Sequence, residues 1–137
     1  MYYVIYGKVI KGDGYGKKLG YPTINLSRRF FSKMKKKPKF GVYAGRVFLR
    51  KKPTSKSSLL PGKLYQAAIV IGPKDKRGLP KIEAHLIGFK GNAYGKRAIF
   101  EVGKFIRKYK KFKTEKELIK QIEQDLKKCT KVKKDGK

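Results

Sequence analysis

Two stretches of this chain hold residue types that can do chemistry. The first is Gly12-Asp13-Gly14-Tyr15-Gly16-Lys17-Lys18-Leu19-Gly20-Tyr21-Pro22-Thr23-Ile24-Asn25-Leu26, directly after an alternating apolar run. Its glycines leave backbone N–H groups free to approach a phosphate closely, and Lys17 and Lys18 add cations beside them. Gly14, Gly16, Lys17, Lys18, Gly20, Pro22, Thr23 and Asn25 are therefore the candidate phosphate-binding set. This is not a P-loop, because Leu19-Gly20-Tyr21-Pro22 leads into an extended segment where that motif requires Gly-Lys-Ser/Thr opening a helix. A Rossmann reading fails as well, since no βαβ unit follows. Thr23 and Asn25 stand at i and i+2 of the extended segment and so point the same way. A hydroxyl and an amide carbonyl side by side are hard oxygen donors of the kind Mg²⁺ accepts when phosphate oxygens and water complete its shell. The competing reading is a flexible loop whose Thr and Asn bond their own backbone.

The second stretch is Lys81-Ile82-Glu83-Ala84-His85-Leu86-Ile87, where Ile82, Ala84 and Leu86 share one face of a strand and Glu83 and His85 the other. Glu83 is one of only nine acids in the protein. A carboxylate so placed can act as general base toward an attacking hydroxyl within hydrogen-bond reach; the alternative is an exposed acid paired with surface lysines. His85 is the only histidine, and no second soft ligand accompanies it, so it reads as a pocket wall and not a metal ligand.

The elements that must position these groups follow from periodicity. Apolar and polar residues alternate over Tyr2 to Ile10, Gly41 to Leu49, Leu64 to Ile71, Lys81 to Phe89 and Lys96 to Val102, separated by Gly, Pro and Ser. Strands at this spacing predict a small closed antiparallel barrel. One helix begins at Thr114, which with Glu117 forms a capping-box pattern, and Leu118, Ile119, Ile122 and Leu126 make one apolar stripe that should dock on the barrel. The lysine-rich stretches Lys33 to Lys39, Lys51 to Ser58 and Lys127 to Lys137 lack such periodicity and read as solvated loops and a tail. The expected organisation is one unit over residues 1–128 and a disordered basic tail over 129–137.

Composition narrows the function classes. At 137 residues the chain holds one modest core. A single cysteine, Cys129, excludes an internal disulfide scaffold and a thiolate zinc cluster. No window approaches the ~20 apolar residues of a membrane-spanning helix, and the expected compartment is the cytoplasm. The net charge of +29 predicts attraction to polyanions. Only seven of the 38 basic residues are arginines, the side chains that read phosphates and bases bidentately, so the charge suits a non-specific surface. Rings interleaved with these cations, among them Tyr2, Tyr6, Phe30 and Phe48, either pack in the sheet or stack on nucleic-acid bases or a flat heterocycle.

Taken together and in order, these segments resemble the riboflavin kinase (flavokinase) family, also found as the C-terminal module of bacterial bifunctional FAD synthetases. The likeness is carried by Leu19-Gly20-Tyr21-Pro22-Thr23-Ile24-Asn25 above all, then by Gly41-Val42-Tyr43-Ala44, Ala67 to Gly72, Ile82-Glu83-Ala84-His85-Leu86, Tyr94-Gly95, Arg107 and Gln121 to Asp125. The resemblance implies an all-β fold with a C-terminal helix, a six-stranded antiparallel Greek-key barrel. It implies phosphorylation of riboflavin to FMN by ATP with Mg²⁺. Thr23 and Asn25 would lie near the metal and phosphates, Glu83 would act as base toward the ribityl 5′-hydroxyl, and Arg107 and Tyr94 would contact the flavin. The small-molecule substrates would be the partners of a monomer. Two places depart from the pattern: Val70 precedes Ile71-Gly72 with Pro73 to Gly78 following, and Tyr109 stands where the family commonly has glutamate. These departures keep two alternatives open, a catalytically inactive flavin-binding relative and a basic nucleic-acid-binding barrel.

Overall fold

The computed structural model describes residues 2–12, 14–50 and 62–135, without the side chains of 131–135. The elements in order are β1 (Tyr3–Ile10), α1 (Tyr15–Lys18), β2 (Ile24–Leu26), α2 (Arg29–Lys33), β3 (Gly41–Arg50), β4 (Gly62–Lys74), β5 (Pro80–Leu86), β6 (Arg97–Arg107) and α3 (Glu115–Asp135). The strands close into an antiparallel barrel in the order β1-β2-β5-β4-β3-β6. β3, β4 and β5 form a meander and β6 returns beside β3, which is the Greek-key arrangement the resemblance implied.

Alternation along each strand sends one face inward. β1 buries Ile5 and Val9 and turns Val4 and Tyr6 out, while β6 buries Ala98, Phe100 and Val102. With Leu26, Val47, Ile69, Ile71, Ile82 and Ala84 these fill the barrel with one apolar core, in which Phe100 is fully buried. Closure requires β3 to bend, and its register against β6 shifts between Tyr43 and Gly45. At Gly45 a Cβ would lie 2.2 Å from the Glu101 carbonyl oxygen, so the two strands approach there only because the side chain is absent.

Helix α3 starts as its sequence predicts, with the Glu117 N–H donating to Thr114 Oγ1 at 3.1 Å. It does not stop at residue 128. The helix continues to Asp135, and Cys129, expected to begin a loose tail, is buried against Val42, Ala44 and Ala68. The physical reason is that Leu118, Ile122, Asp125 and Cys129 share one face, and the lysines on the opposite face obscured the period. Strands β4 and β6 run past their expected limits, to Lys74 and Arg107, and β5 ends at Leu86. The expected loop at Lys51 to Ser58 lies outside the described residues. The altered Pro73 to Gly78 segment is a tight β4–β5 turn, in which the Asp75 carboxylate accepts from the Arg77 and Leu79 N–H groups and pairs with Arg28 at 2.9 Å. The Arg28 guanidinium holds the Asp75 carboxyl below its usual range. No helix among the described residues is long and apolar enough to cross a membrane.

Candidate active site

The strand register assembles the first site residues. β2 pairs with β5 so that Asn25 lies opposite Glu83 and Ile24 opposite Ala84. Ile24 and Ala84 are buried in the core, which turns Asn25 and Glu83 to the barrel exterior. Thr23 Oγ1 stands 3.4 Å from Glu83 Oε2. The Thr/Asn pair and the strand acid, about sixty residues apart in the chain, thus form one cluster. The glycines before it are packed close: a Cβ at Gly12 would lie 2.1 Å from the Asn25 amide nitrogen.

Two cavities meet at this cluster. The larger, about 1310 Å³, is lined by Gly12, Gly14, Lys17, Gly20, Pro22, Thr23 and Asn25 on one side and by the β5–β6 connection, including Tyr94, on the other. The smaller, about 510 Å³, is lined by Tyr15, Gly16, Thr23, Glu83, Arg107, Tyr109, Phe112 and Asp125. Thr23 and His85 line both. Of the expected site residues, Lys18 is exposed and lines neither cavity. Arg107 and Tyr94, expected to share one ligand, lie on different cavities, with Tyr94 half exposed on the glycine-loop side.

Three features around the two cavities were not legible in the sequence. Arg107 donates to Asp125 from both Nε and Nη2, at 3.0 and 2.9 Å, and Gln121 Nε2 donates to Asp125 Oδ1 at 3.0 Å. Asp125 is the only buried charged residue among those described, and this paired geometry is what makes its burial tolerable. The glycine segment is also tied to α3: Tyr15 Oη donates to Glu115 at 3.2 Å and Tyr21 Oη donates to Glu123. Both phenol pKa values are raised, that of Tyr15 by burial first and that of Tyr21 by its hydrogen bond to Glu123 first. Third, His85 Nδ1 is buried without a hydrogen-bond partner. Burial pushes the imidazole pKa down to about 4, against the opposing pull of Asp125 and the Tyr21 backbone, so the ring is neutral at neutral pH.

The comparisons bear on this arrangement directly. The riboflavin kinase (flavokinase) family model matches residues 1–133. The chain belongs to the riboflavin kinase family. Among its relatives in that family, the bifunctional riboflavin kinase/FMN adenylyltransferase of Bacillus subtilis is 35% identical over 130 residues, and that of Haemophilus influenzae 32% over 126. Each alignment covers 90% of this chain but 36% of the relative, so the chain spans about a third of the length of these bifunctional proteins. Riboflavin kinase from Trypanosoma brucei superposes with a TM-score of 0.65 at 19% identity, covering 96% of this chain and 79% of that one. A structure described as a macrolide-efflux protein from Streptococcus pneumoniae gives a TM-score of 0.73 at 24% identity, over 90% of this chain and 37% of that one. At these identities the two structures speak for the shared barrel alone.

Proposed function

We propose that this chain transfers the γ-phosphate of ATP to the ribityl 5′-hydroxyl of riboflavin, giving FMN. The observation that carries this reading is the cluster of Thr23, Asn25 and Glu83 at the meeting point of two cavities. The larger cavity takes the nucleotide: Gly14, Gly20 and Lys17 border the phosphates, and Tyr94 lies on that side. The smaller cavity takes the flavin, between Arg107, Phe112 and the α3 face. A phosphoryl donor and its acceptor then approach from opposite sides of Thr23.

Glu83 accepts the proton of the attacking hydroxyl as the oxygen–phosphorus bond forms and the bond to the ADP oxygen breaks. Lys17 stabilises the charge that develops on the transferred group, together with N–H groups of the glycine segment ahead of Lys18, since those of Lys18 to Tyr21 donate to carbonyls within the segment. Among the described residues no cluster of three or more His, Cys, Asp or Glu side chains stands ready to hold a metal. The oxygen donors of Thr23 and Asn25 fit Mg²⁺ as a partial shell that ATP phosphates and water complete. When bound there the ion supplies positive charge to the phosphate oxygens. Arg107 is committed to Asp125, so we assign it the positioning of the cavity wall and not a charge contact to phosphate.

Incubation with riboflavin, MgCl₂ and ATP, with CTP and no-metal controls, followed by chromatographic separation of FMN, tests the reaction. FMN dependent on Mg-ATP is expected, and Glu83→Gln should lower turnover by about 10²–10⁴-fold while flavin binding persists. Flavin binding without FMN from the wild-type chain overturns the kinase reading in favour of an inactive flavin binder. Near-normal turnover in Glu83→Gln removes Glu83 from the mechanism.

A further inference from the structure

The net charge of +29 plays little part in the site above, but on the barrel's outer face away from α3 some of it is arranged in register. Tyr6 lies opposite Ile99, Ile99 opposite Phe48, and Phe48 opposite Leu64, so one apolar row crosses β1, β6, β3 and β4. Tyr6 and Leu64 are 52% and 51% exposed. Phe30 packs against Tyr6 with ring centroids 4.0 Å apart, which fixes the tyrosine's orientation while half its surface stays open. Two residues along the same strands, Lys8 lies opposite Arg97 and Arg97 opposite Arg50, a row of three cations. The row is a strip of positive side chains crossing three neighbouring strands, a place where an anionic chain meets several cations at once. On the other side of the apolar row Arg46 and Glu101 pair at 2.6 Å.

We propose that this face binds a single strand of nucleic acid, with bases on the Tyr6–Ile99–Phe48–Leu64 row and phosphates on Lys8, Arg97 and Arg50. The two rows are about 7 Å apart, two residues along a strand, which matches the reach from a base across its sugar to the phosphate. Strand spacing of about 4.8 Å brings successive cations under a backbone that crosses the sheet. Stacking on rings accepts any base, so the site is sequence-tolerant. A second copy of the chain would bring two +29 surfaces together, and an acidic protein would answer the cations while leaving the apolar row with its two rings unexplained. None of these residues belongs to the kinase cluster, and the inference stands apart from the kinase reading.

The test titrates the full chain into a fluorescein-labelled twenty-nucleotide oligothymidylate and follows anisotropy at rising KCl. Saturable binding is expected, with tyrosine emission quenched; the chain has no tryptophan to mask that signal. Tyr6→Ala should weaken binding about tenfold at an unchanged salt slope. Arg97→Ala should reduce the slope of log K against log salt by about 0.7, the share of one single-strand phosphate. The double variant Lys116→Ala, Lys120→Ala on the exposed side of α3 should stay within twofold of wild type. Because Tyr6→Ala also removes the Phe30 contact, Leu64→Glu provides a second apolar-row variant, expected to weaken binding at least as much, with melting by circular dichroism confirming the fold. The proposal is overturned by any of four results: no binding at 50 mM KCl, unchanged affinity in both apolar-row variants, equal losses in the Arg97 and α3-lysine variants, or tighter binding to duplex than to single strand.

Discussion

The inside of the barrel and the seam between barrel and α3 are built on opposite principles. The inside is apolar throughout, with Ile5, Leu26, Ile69, Phe100 and Val102 fully buried and no charged group among them. The seam holds a small apolar cluster of Val42, Ala44, Ala68 and Cys129, and beside it the Arg107–Asp125–Gln121 network and two tyrosine–glutamate links. Apolar packing is non-directional and suits a scaffold that must only be rigid. Directional polar contacts suit a wall that must hold particular groups beside a cavity. The cluster of Thr23, Asn25 and Glu83 proposed to carry the reaction lies where the two regimes meet.

The largest test of that contrast is Phe100→Ala, which leaves a void in a core with no solvent access. A loss of about 3–5 kcal/mol is expected in denaturant unfolding, with sheet signal and flavin binding lost in one transition. Asp125→Ala attacks the seam alone. Leaving the Arg107 guanidinium, 20% exposed, without its carboxylate should cost about 3 kcal/mol. Here the barrel should persist while α3 loosens, and Cys129 reports the difference. Its thiol pKa is pushed up to about 12 by burial and by Asp125, so in the intact protein it should react with a thiol reagent only on global unfolding. In Asp125→Ala it should react at denaturant concentrations where the sheet signal is unchanged. A single coincident transition in that variant would merge the two regions into one cooperative unit.

The pH dependence offers a smaller effect. Unfolded His85 takes up a proton near pH 6.5, whereas the folded protein resists protonation until about pH 4. Between those values the unfolded state binds more protons, so stability falls as pH is lowered, by roughly 2–3 kcal/mol across the window. His85→Gln should flatten this part of the stability profile; an unchanged profile would place the titration elsewhere. Smallest is Tyr21→Phe, which removes one exposed hydrogen bond between the glycine segment and α3. It should leave stability close to that of the unaltered protein and raise the ATP KM a few-fold with kcat nearly unchanged.

How much of this was written in the sequence follows the same division. The barrel strands were legible because burial on one face imposes a period of two, and β1 and β3 start and end within a residue of expectation. The shared direction of Thr23 and Asn25 was legible for the same reason. That Glu83 lies opposite Asn25 was not, since β2 is three residues long and its register depends on the closure of the whole barrel. The Arg107–Asp125 pair links residues 18 apart on different elements, a spacing with no local signature. Asp125 falls on the apolar stripe of α3, and its burial depends on partners, Arg107 and Gln121, that the stripe alone does not reveal. Tyr94 and Arg107 were grouped by family likeness, and only the three-dimensional arrangement separates them into two cavities.

The closing seam of the barrel has a consequence for biosynthesis. β1 pairs with β2 through two residue pairs and with β6 through six, from Tyr3↔Val102 to Lys8↔Arg97. Among the barrel's own strands β1 leaves the ribosome before the others, so it waits for β6 before most of its hydrogen bonds can form, and such non-local pairing is slow. A nascent chain arrested before β6 should remain protease-sensitive along β1, and one arrested after α3 has emerged should be protected. The order of synthesis thus makes the barrel fold late, as a single event, with the first strand held open until the end.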